Sequence, residues 1–148
     1  MLHVAELAPK VSLATAGALE VAEATSTKEV VKSAYKGPKE IEKVVKSYFK
    51  DIPILADIAR CESHYIQYDS SGKVHRGVIN SSDVGVMQIN EKYHLQTAKK
   101  KGMDIYSLDG NLAYARYLYK KEGSYPWISS SACWAGHTAV KDTPVNTD

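Results

Sequence analysis

The chain has 148 residues, 44% of them hydrophobic and 24% charged, with a formal net charge of +2. That length fits one domain with a core of ordinary size, and the composition is globular, neither disordered nor membrane-spanning. No run of about 18 apolar residues is present, so no transmembrane helix is expected, and the small, mixed charge argues against nucleic acid as a partner.

Residues 1–37 are rich in Ala, Val, Thr and Glu without a sustained period. They read as a separate N-terminal segment, partly helical (around Ala16–Ala24) or flexible. A helix then opens at Gly37-Pro38, with proline suited to a first turn. Ile41, Val44, Val45, Tyr48 and Phe49 recur at helical spacing and define its apolar face, while Lys39, Glu40, Glu42, Lys43 and Lys46 take the solvated face. Asp51 is the expected cap of the next helix, with Pro53 in its first turn and Ile54, Leu55, Ile58 and Cys61 as its buried stripe.

Glu62 falls at the C-terminal end of that helix, where the dipole disfavours negative charge. Burial there would push its pKa upward, as a general acid requires; otherwise it is an exposed glutamate or one paired with Arg60 or Lys73. Asp69-Ser70-Ser71-Gly72 and Asn80-Ser81-Ser82-Asp83 are turn signals, which make 65–84 a small β-hairpin or three-stranded flap. Helices follow near 91–101 and 109–121, the second capped by Asp109 or Asn111. The polar tail 137–148, with Pro144, reads as flexible. The expected fold class is therefore α+β, mainly α, with its main domain spanning 38–136.

Two carboxylates on either side of one groove are what glycosidic bond cleavage needs, and Glu62 and Asp83 are the candidates. Asp83 is also a routine turn residue, and Asp69 is a turn residue first. Ser63 could bond the glutamate or cap its helix, but no Ser/His/Asp arrangement is visible. Ten tyrosines against one phenylalanine suit sugars, which stack on amphipathic rings, although core packing accounts for such residues as well. Two cysteines and scattered histidines show no ligand spacing, so no metal or cofactor is expected.

The segment Cys61-Glu62-Ser63 resembles the catalytic helix end of lysozymes, lytic transglycosylases and resuscitation-promoting factors. Ser81-Ser82-Asp83-Val84-Gly85-Val86-Met87-Gln88-Ile89-Asn90 is similar to Ser-Thr-Asp-Tyr-Gly-Ile-Leu-Gln-Ile-Asn of animal c-type lysozymes. It is equally similar to the Gly-Leu-Met-Gln-Ile signature of soluble lytic transglycosylases and to the matching goose-type segment. Asn111-Leu112-Ala113-Tyr114-Ala115-Arg116-Tyr117-Leu118 resembles a transglycosylase helix, with its Tyr-Leu one residue early. Ala132-Cys133-Trp134-Ala135-Gly136 occupies the place of Ala-Tyr-Asn-Ala-Gly. Four matches in order, from about Pro38 to Gly136, are together specific.

The resemblance implies a lysozyme-like fold with a β-hairpin flap beside the groove, and a muramidase acting on peptidoglycan glycan strands. The bond cut would be the β-1,4 link between N-acetylmuramic acid and N-acetylglucosamine, with Glu62 as general acid and Asp83 as its partner. Gln88 would face sugar or the glutamate, with Ser63, Asn90, Tyr93 and Tyr114 as further substrate-side residues, and Trp127 and Trp134 are aromatic candidates that either line subsites or pack under the groove. Trp134 stands where the family has asparagine and Cys133 where it has tyrosine, so those two contacts do not carry over.

The cysteines are either two buried thiols or a Cys61–Cys133 disulfide closing a loop of about seventy residues, worth roughly 4 kcal/mol. Resuscitation-promoting factors pair cysteines at similar places, and Tyr125-Pro126-Trp127 before Cys133 resembles their setting. The bridge is consistent with an extracytoplasmic site, secreted, periplasmic or wall-associated, and the protein is expected to be a monomer. No signal peptide is visible, which for a cell-wall enzyme reads as a trimmed chain beginning at an added methionine.

Three alternatives stay open. In a lytic transglycosylase the position of Asp83 is usually small and uncharged, the glutamate acts alone, and the muramic 6-hydroxyl closes a 1,6-anhydro ring. An inactive glycan-binding module would keep the fold without turnover. An adaptor for a secretion machine would dock through residues 1–37.

Overall fold

The computed structural model describes residues 37–138. The N-terminal segment, with the expected helix around Ala16–Ala24, and the tail beyond residue 138 lie outside the described residues. No described helix is long and apolar enough to cross a membrane.

The architecture is mainly helical with one small antiparallel sheet. Helix α1 is Pro38–Tyr48 and α2 is Ile54–Ser63. Gly37 is extended, and Pro38 starts α1 without needing its missing N–H. Ile41, Val45 and Phe49 are buried on the expected face and join Leu55, Ile58 and Ala59 of α2 in one core.

Asp51 does not cap α2. The first amides of that helix are met by backbone instead, Leu55 by the Ile52 carbonyl at 3.0 Å and Ala56 by the Pro53 carbonyl at 3.0 Å. A tight turn feeding the helix leaves no orphan donor for a side chain to accept. Asp51 instead takes a fork from Arg116, at 2.6 and 2.9 Å. The same guanidinium bonds the Tyr48 carbonyl and lies over the Tyr48 and Phe49 rings.

The flap also differs from expectation. Between 65 and 82 only isolated bridges form, Tyr68 with Val74 and Arg76 with Val84. Regular pairing falls inside the signature itself, where β1 (Asp83–Val84) meets β2 (Ile89–Asn90) with Asp83 opposite Asn90 and Val84 opposite Ile89. The physical reason is local competition and lack of burial. The Asp69 carboxylate accepts the amides of Ser71 and Lys73 at 2.8 and 3.0 Å, so a side chain shares the turn with the two backbone bonds that form, from the Asp69 amide to the Lys73 carbonyl and from the His75 amide to the Gln67 carbonyl, each at 2.8 Å. Val78 and Ile79 stand fully in solvent, so the segment around them has no apolar face to anchor pairing.

Helix α3 (Glu91–Lys100) starts directly after β2, and Asn90 caps it by accepting the Lys92 amide at 3.1 Å. The hairpin is tied to α3 by Arg76, which forks onto Glu91; Tyr106 donates to the same carboxylate at 2.8 Å.

Helix α4 (Leu108–Glu122) is capped by Ser107, whose hydroxyl accepts the Gly110 amide at 3.1 Å. Neither Asp109 nor Asn111 is the cap: the helix begins at Leu108, with its cap two residues before Asp109 and four before Asn111, which puts Asn111 inside it and fully buried. A 3-10 helix (Tyr125–Ser130) and α5 (Ser131–Thr138) close the described chain. The Cys61–Cys133 disulfide, with Cα atoms 5.9 Å apart, joins α2 to α5.

Candidate active site

The signature is a turn held from all sides by buried groups. Gly85 has φ +74°, and a Cβ there would come within 2.5 Å of the Asn111 amide and 2.8 Å of the Gln67 oxygen. Only glycine fits, on conformation and on space. Gln67, fully buried, accepts the Val86 amide at 2.8 Å and donates to the Tyr106 carbonyl at 3.1 Å. Asn111 accepts the Met87 amide at 2.9 Å and donates to the Val84 and Ile105 carbonyls. Ser63 donates to the Val86 carbonyl at 2.8 Å, and the Trp127 indole to the Met87 carbonyl at 2.9 Å. The Val84 carbonyl and both peptide groups of Val86 and Met87 are thus met by side chains from α2, α4, the 3-10 helix and the residues just after α2, and the Gly85 amide by the His75 carbonyl at 2.8 Å. In a low-dielectric interior such a network is rigid only when complete.

Glu62 sits on the last turn of α2. The two residues that follow its neighbour Ser63, His64 and Tyr65, are both left-handed, with φ of 54° and 62°. They turn the chain sharply, so that Tyr65 returns to the core while Glu62 stays half-buried at the groove. Positive φ in non-glycine residues is costly and concentrates at functional sites; Gln88, on the opposite side of the groove, is a third case with φ 50°. The Glu62 carboxyl accepts a hydrogen bond from the Ser130 hydroxyl at 2.6 Å. Burial pushes its pKa up, the Ser130 bond pulls it down, and the negative charge of Asp83 pushes it up again. Neither Arg60 nor Lys73 is its partner.

Asp83 is held locally. Its Oδ1 accepts from the Asn90 amide at 2.7 Å, directly across the strand pair, and from Asn80 at 3.3 Å. The turn role at this corner belongs to Asn80, whose oxygen accepts the Ser82 amide at 3.1 Å. Asp83 lines the groove with Oδ1 committed to the hairpin and neither of these bonds on Oδ2.

Both carboxyls line one groove of about 420 Å³. Gln88 and Asn90 line it from the hairpin that carries Asp83, Tyr93 from α3, and Tyr125–Ser129 from the 3-10 helix. His94, Leu118 and Glu122 complete the lining. Tyr93 and Tyr125 are 80% and 71% exposed, two rings free to stack on a sugar.

Of the residues expected to touch substrate, Gln88, Asn90 and Tyr93 line the groove and three do not. Ser63 is buried, with its hydroxyl committed to the Val86 and Ala59 carbonyls and the Ile66 amide. Tyr114 is buried and bonds His94 at 3.1 Å. Trp134 is buried, its indole donating to the Ser130 hydroxyl at 3.0 Å and the Trp127 carbonyl at 3.1 Å. Tyr114 and Trp134 each support a groove residue from behind, His94 and Trp127, while Ser63 braces the turn at Val86. The amide of Gln88 turns to the Gly85 carbonyl at 2.8 Å, not to Glu62.

Sequence reasoning did not find Ser130, Gln67 or Tyr125. Ser130 and Gln67 carry no motif signal, because their role exists only through partners far away in sequence. Tyr125 had one signal, an aromatic next to proline in a loop. Among the described residues no group of three or more His, Cys, Asp or Glu could hold a metal ion.

No family model matches the chain, and neither does a curated protein or a solved structure. Its residues and their geometry carry the functional reading.

Proposed function

We propose that the chain is a peptidoglycan-cleaving glycosidase of muramidase type with a lysozyme-like fold. The observation that carries this is the pairing of a half-buried Glu62, its acidity weakened by burial, with Asp83 across one groove. In the proposed reaction the protonated Glu62 gives its proton to the glycosidic oxygen. The bond from the muramic anomeric carbon to that oxygen breaks with its electron pair going to the oxygen. Asp83 stabilises the cationic ring or attacks it. The Glu62 carboxylate then takes a proton from water, whose oxygen adds to the anomeric carbon and leaves a reducing end. Tyr93 and Tyr125 supply stacking surfaces along the strand.

One observation favours a lytic transglycosylase instead. Both amide donors fall on the same oxygen of Asp83, as they would on a residue kept to brace the hairpin. In that reading Glu62 acts alone, and its carboxylate takes the proton of the muramic 6-hydroxyl, whose oxygen closes the 1,6-anhydro ring. The disulfide supports an extracytoplasmic place of action, since such bonds persist in oxidising compartments.

Mass spectrometry of muropeptides released from purified peptidoglycan decides between these. Reducing-end products lost in both Glu62→Gln and Asp83→Asn identify a muramidase. Anhydro products that need Glu62 and not Asp83 identify a transglycosylase. Glycan binding without release by the wild type would reject both in favour of a binding module.

A further inference from the structure

The carboxyl of Glu62 has one hydrogen-bond donor among the described residues, the Ser130 hydroxyl, and it reaches only Oε1. Ser130 comes from 68 residues away, at the end of the 3-10 helix, and is itself constrained. The Trp134 indole donates to its oxygen at 3.0 Å, and the Cys61–Cys133 disulfide ties the residue before Glu62 to the residue before Trp134. A covalent bond and a chain of two hydrogen bonds thus run in parallel between α2 and α5, with the acid at one end.

We propose that Ser130 is a positioning residue for Glu62: its hydroxyl occupies Oε1 and so reserves Oε2 as the oxygen that carries the proton for transfer. The hydroxyl has one hydrogen and two acceptors in reach, Glu62 at 2.6 Å and the Trp127 carbonyl at 3.1 Å. The hydrogen goes to the Glu62 carboxylate, the nearer acceptor and the charged one. The single N–H of the Trp134 indole is shared between the Ser130 oxygen and the Trp127 carbonyl, at 3.0 and 3.1 Å, and its share on the serine oxygen polarises the hydroxyl toward Glu62. With Oε1 occupied by a donor, a proton on that oxygen would face another hydrogen, so protonation goes to Oε2. After transfer the same hydroxyl stabilises the carboxylate without moving, since a bond to the charged form strengthens as charge develops. In the second half of the reaction the carboxylate regains its proton, and Ser130 again directs it to Oε2. Proton and charge balance rest entirely with Glu62; Ser130 neither gains nor loses a proton.

The proposal rests on Glu62 being the acid, so its test needs a readout besides turnover. The Glu62 carboxyl is titrated by carbon NMR in the full chain, with the resonance assigned by its loss in Glu62→Gln. In Ser130→Ala the midpoint should rise by about one pH unit, since a hydrogen bond to the charged form has gone. The alkaline limb of activity should move with it, with kcat reduced about tenfold and KM unchanged. Ser130→Thr, which keeps the hydroxyl, should restore both. Trp134→Phe should shift the midpoint the same way by less, and decides the matter if Ser130→Ala does not fold.

An unshifted midpoint in a folded, disulfide-intact variant overturns the proposal. A lowered midpoint does so too, because it means Glu62 donates to Ser130 from Oε1. If the midpoint shifts and no muropeptide is released by the wild type, the glycosidase reading fails while the coupling stands. If the wild type is active and the midpoint stays, only the role of Ser130 fails.

Discussion

The two carboxyls of the groove are held in opposite ways. Asp83 is fixed by its own neighbourhood: Asn80 and Asn90, three and seven residues away, supply both its donors, and the strand register places Asn90 opposite it. Glu62 is fixed from the far end of the domain, by Ser130 at a separation of 68 residues and by a disulfide spanning 72. The local arrangement keeps Asp83 hydrogen-bonded and partly open to solvent. The distant one closes over Glu62 and weakens its acidity by burial. The proposed acid and its proposed charge-bearing partner would need different environments, and here the difference comes from whether the surroundings are near or far in sequence.

The largest test of that contrast is Glu62→Gln. Removing a general acid costs on the order of 10²–10⁴ in rate, and muropeptide release should fall by at least that much with the fold intact. Next is the covalent link. The Cys61→Ser, Cys133→Ser double variant should lose about 4 kcal/mol of stability in denaturant unfolding. The folded population of that variant should show a displaced Glu62 titration while the backbone chemical shifts of the hairpin are unchanged. Chemical-shift changes spread evenly over both sides of the groove would break the comparison.

Gly85→Ala attacks the other side. A left-handed alanine whose Cβ lies against Asn111 and Gln67 should cost about 2–4 kcal/mol, read as a lower denaturation midpoint. Asp83→Asn is milder. It keeps the shape and the cross-strand contact, and should lower hydrolytic rate by roughly 10–100-fold if the charge stabilises a cation. If the products carry anhydro ends, it should change rate little.

The smallest effect is on stability against pH. Glu62 has a raised pKa in the folded state, so the folded chain binds more protons than the unfolded one between the two values. Stability from this group therefore falls as pH rises from the ordinary carboxylate range through the folded pKa. At neutral pH the charged, half-buried carboxyl is a cost. Glu62→Gln should raise Tm slightly there and leave it unchanged in acid, where the wild-type group is already neutral. Calorimetry at both pH values measures the difference. An equal Tm change at both would mean that packing, not charge, is responsible.

The apolar periods of α1 and α2 were legible because helical burial repeats at fixed spacing, and Ile41, Val45, Leu55 and Ile58 lie where that spacing puts them. Glu62 at a helix end and Asp83 before Gly85 were legible as chemistry at known positions. The caps were less so. Asp51 and Asp109 are good cap residues by type, but Arg116 and a backbone turn claimed one, and Ser107 preceded the other. The flap was misplaced because turn signals mark where strands can end, and only burial decides which pairs form.

What the chain determined by itself was local: the helices with strong apolar faces, the glycine that the turn at 85 requires, and the residue types able to move a proton. Tertiary structure decided that Gln67, Asn111, Ser63 and Trp127 converge on one turn, and that Ser130 reaches Glu62. It also decided that Tyr114 and Trp134 back the groove instead of lining it. Apart from Trp134, whose indole bonds lie four and seven residues back, those outcomes depend on contacts between residues 19 to 68 positions apart. No local period or propensity encodes such distances, and only packing the whole core brings the partners within hydrogen-bond range.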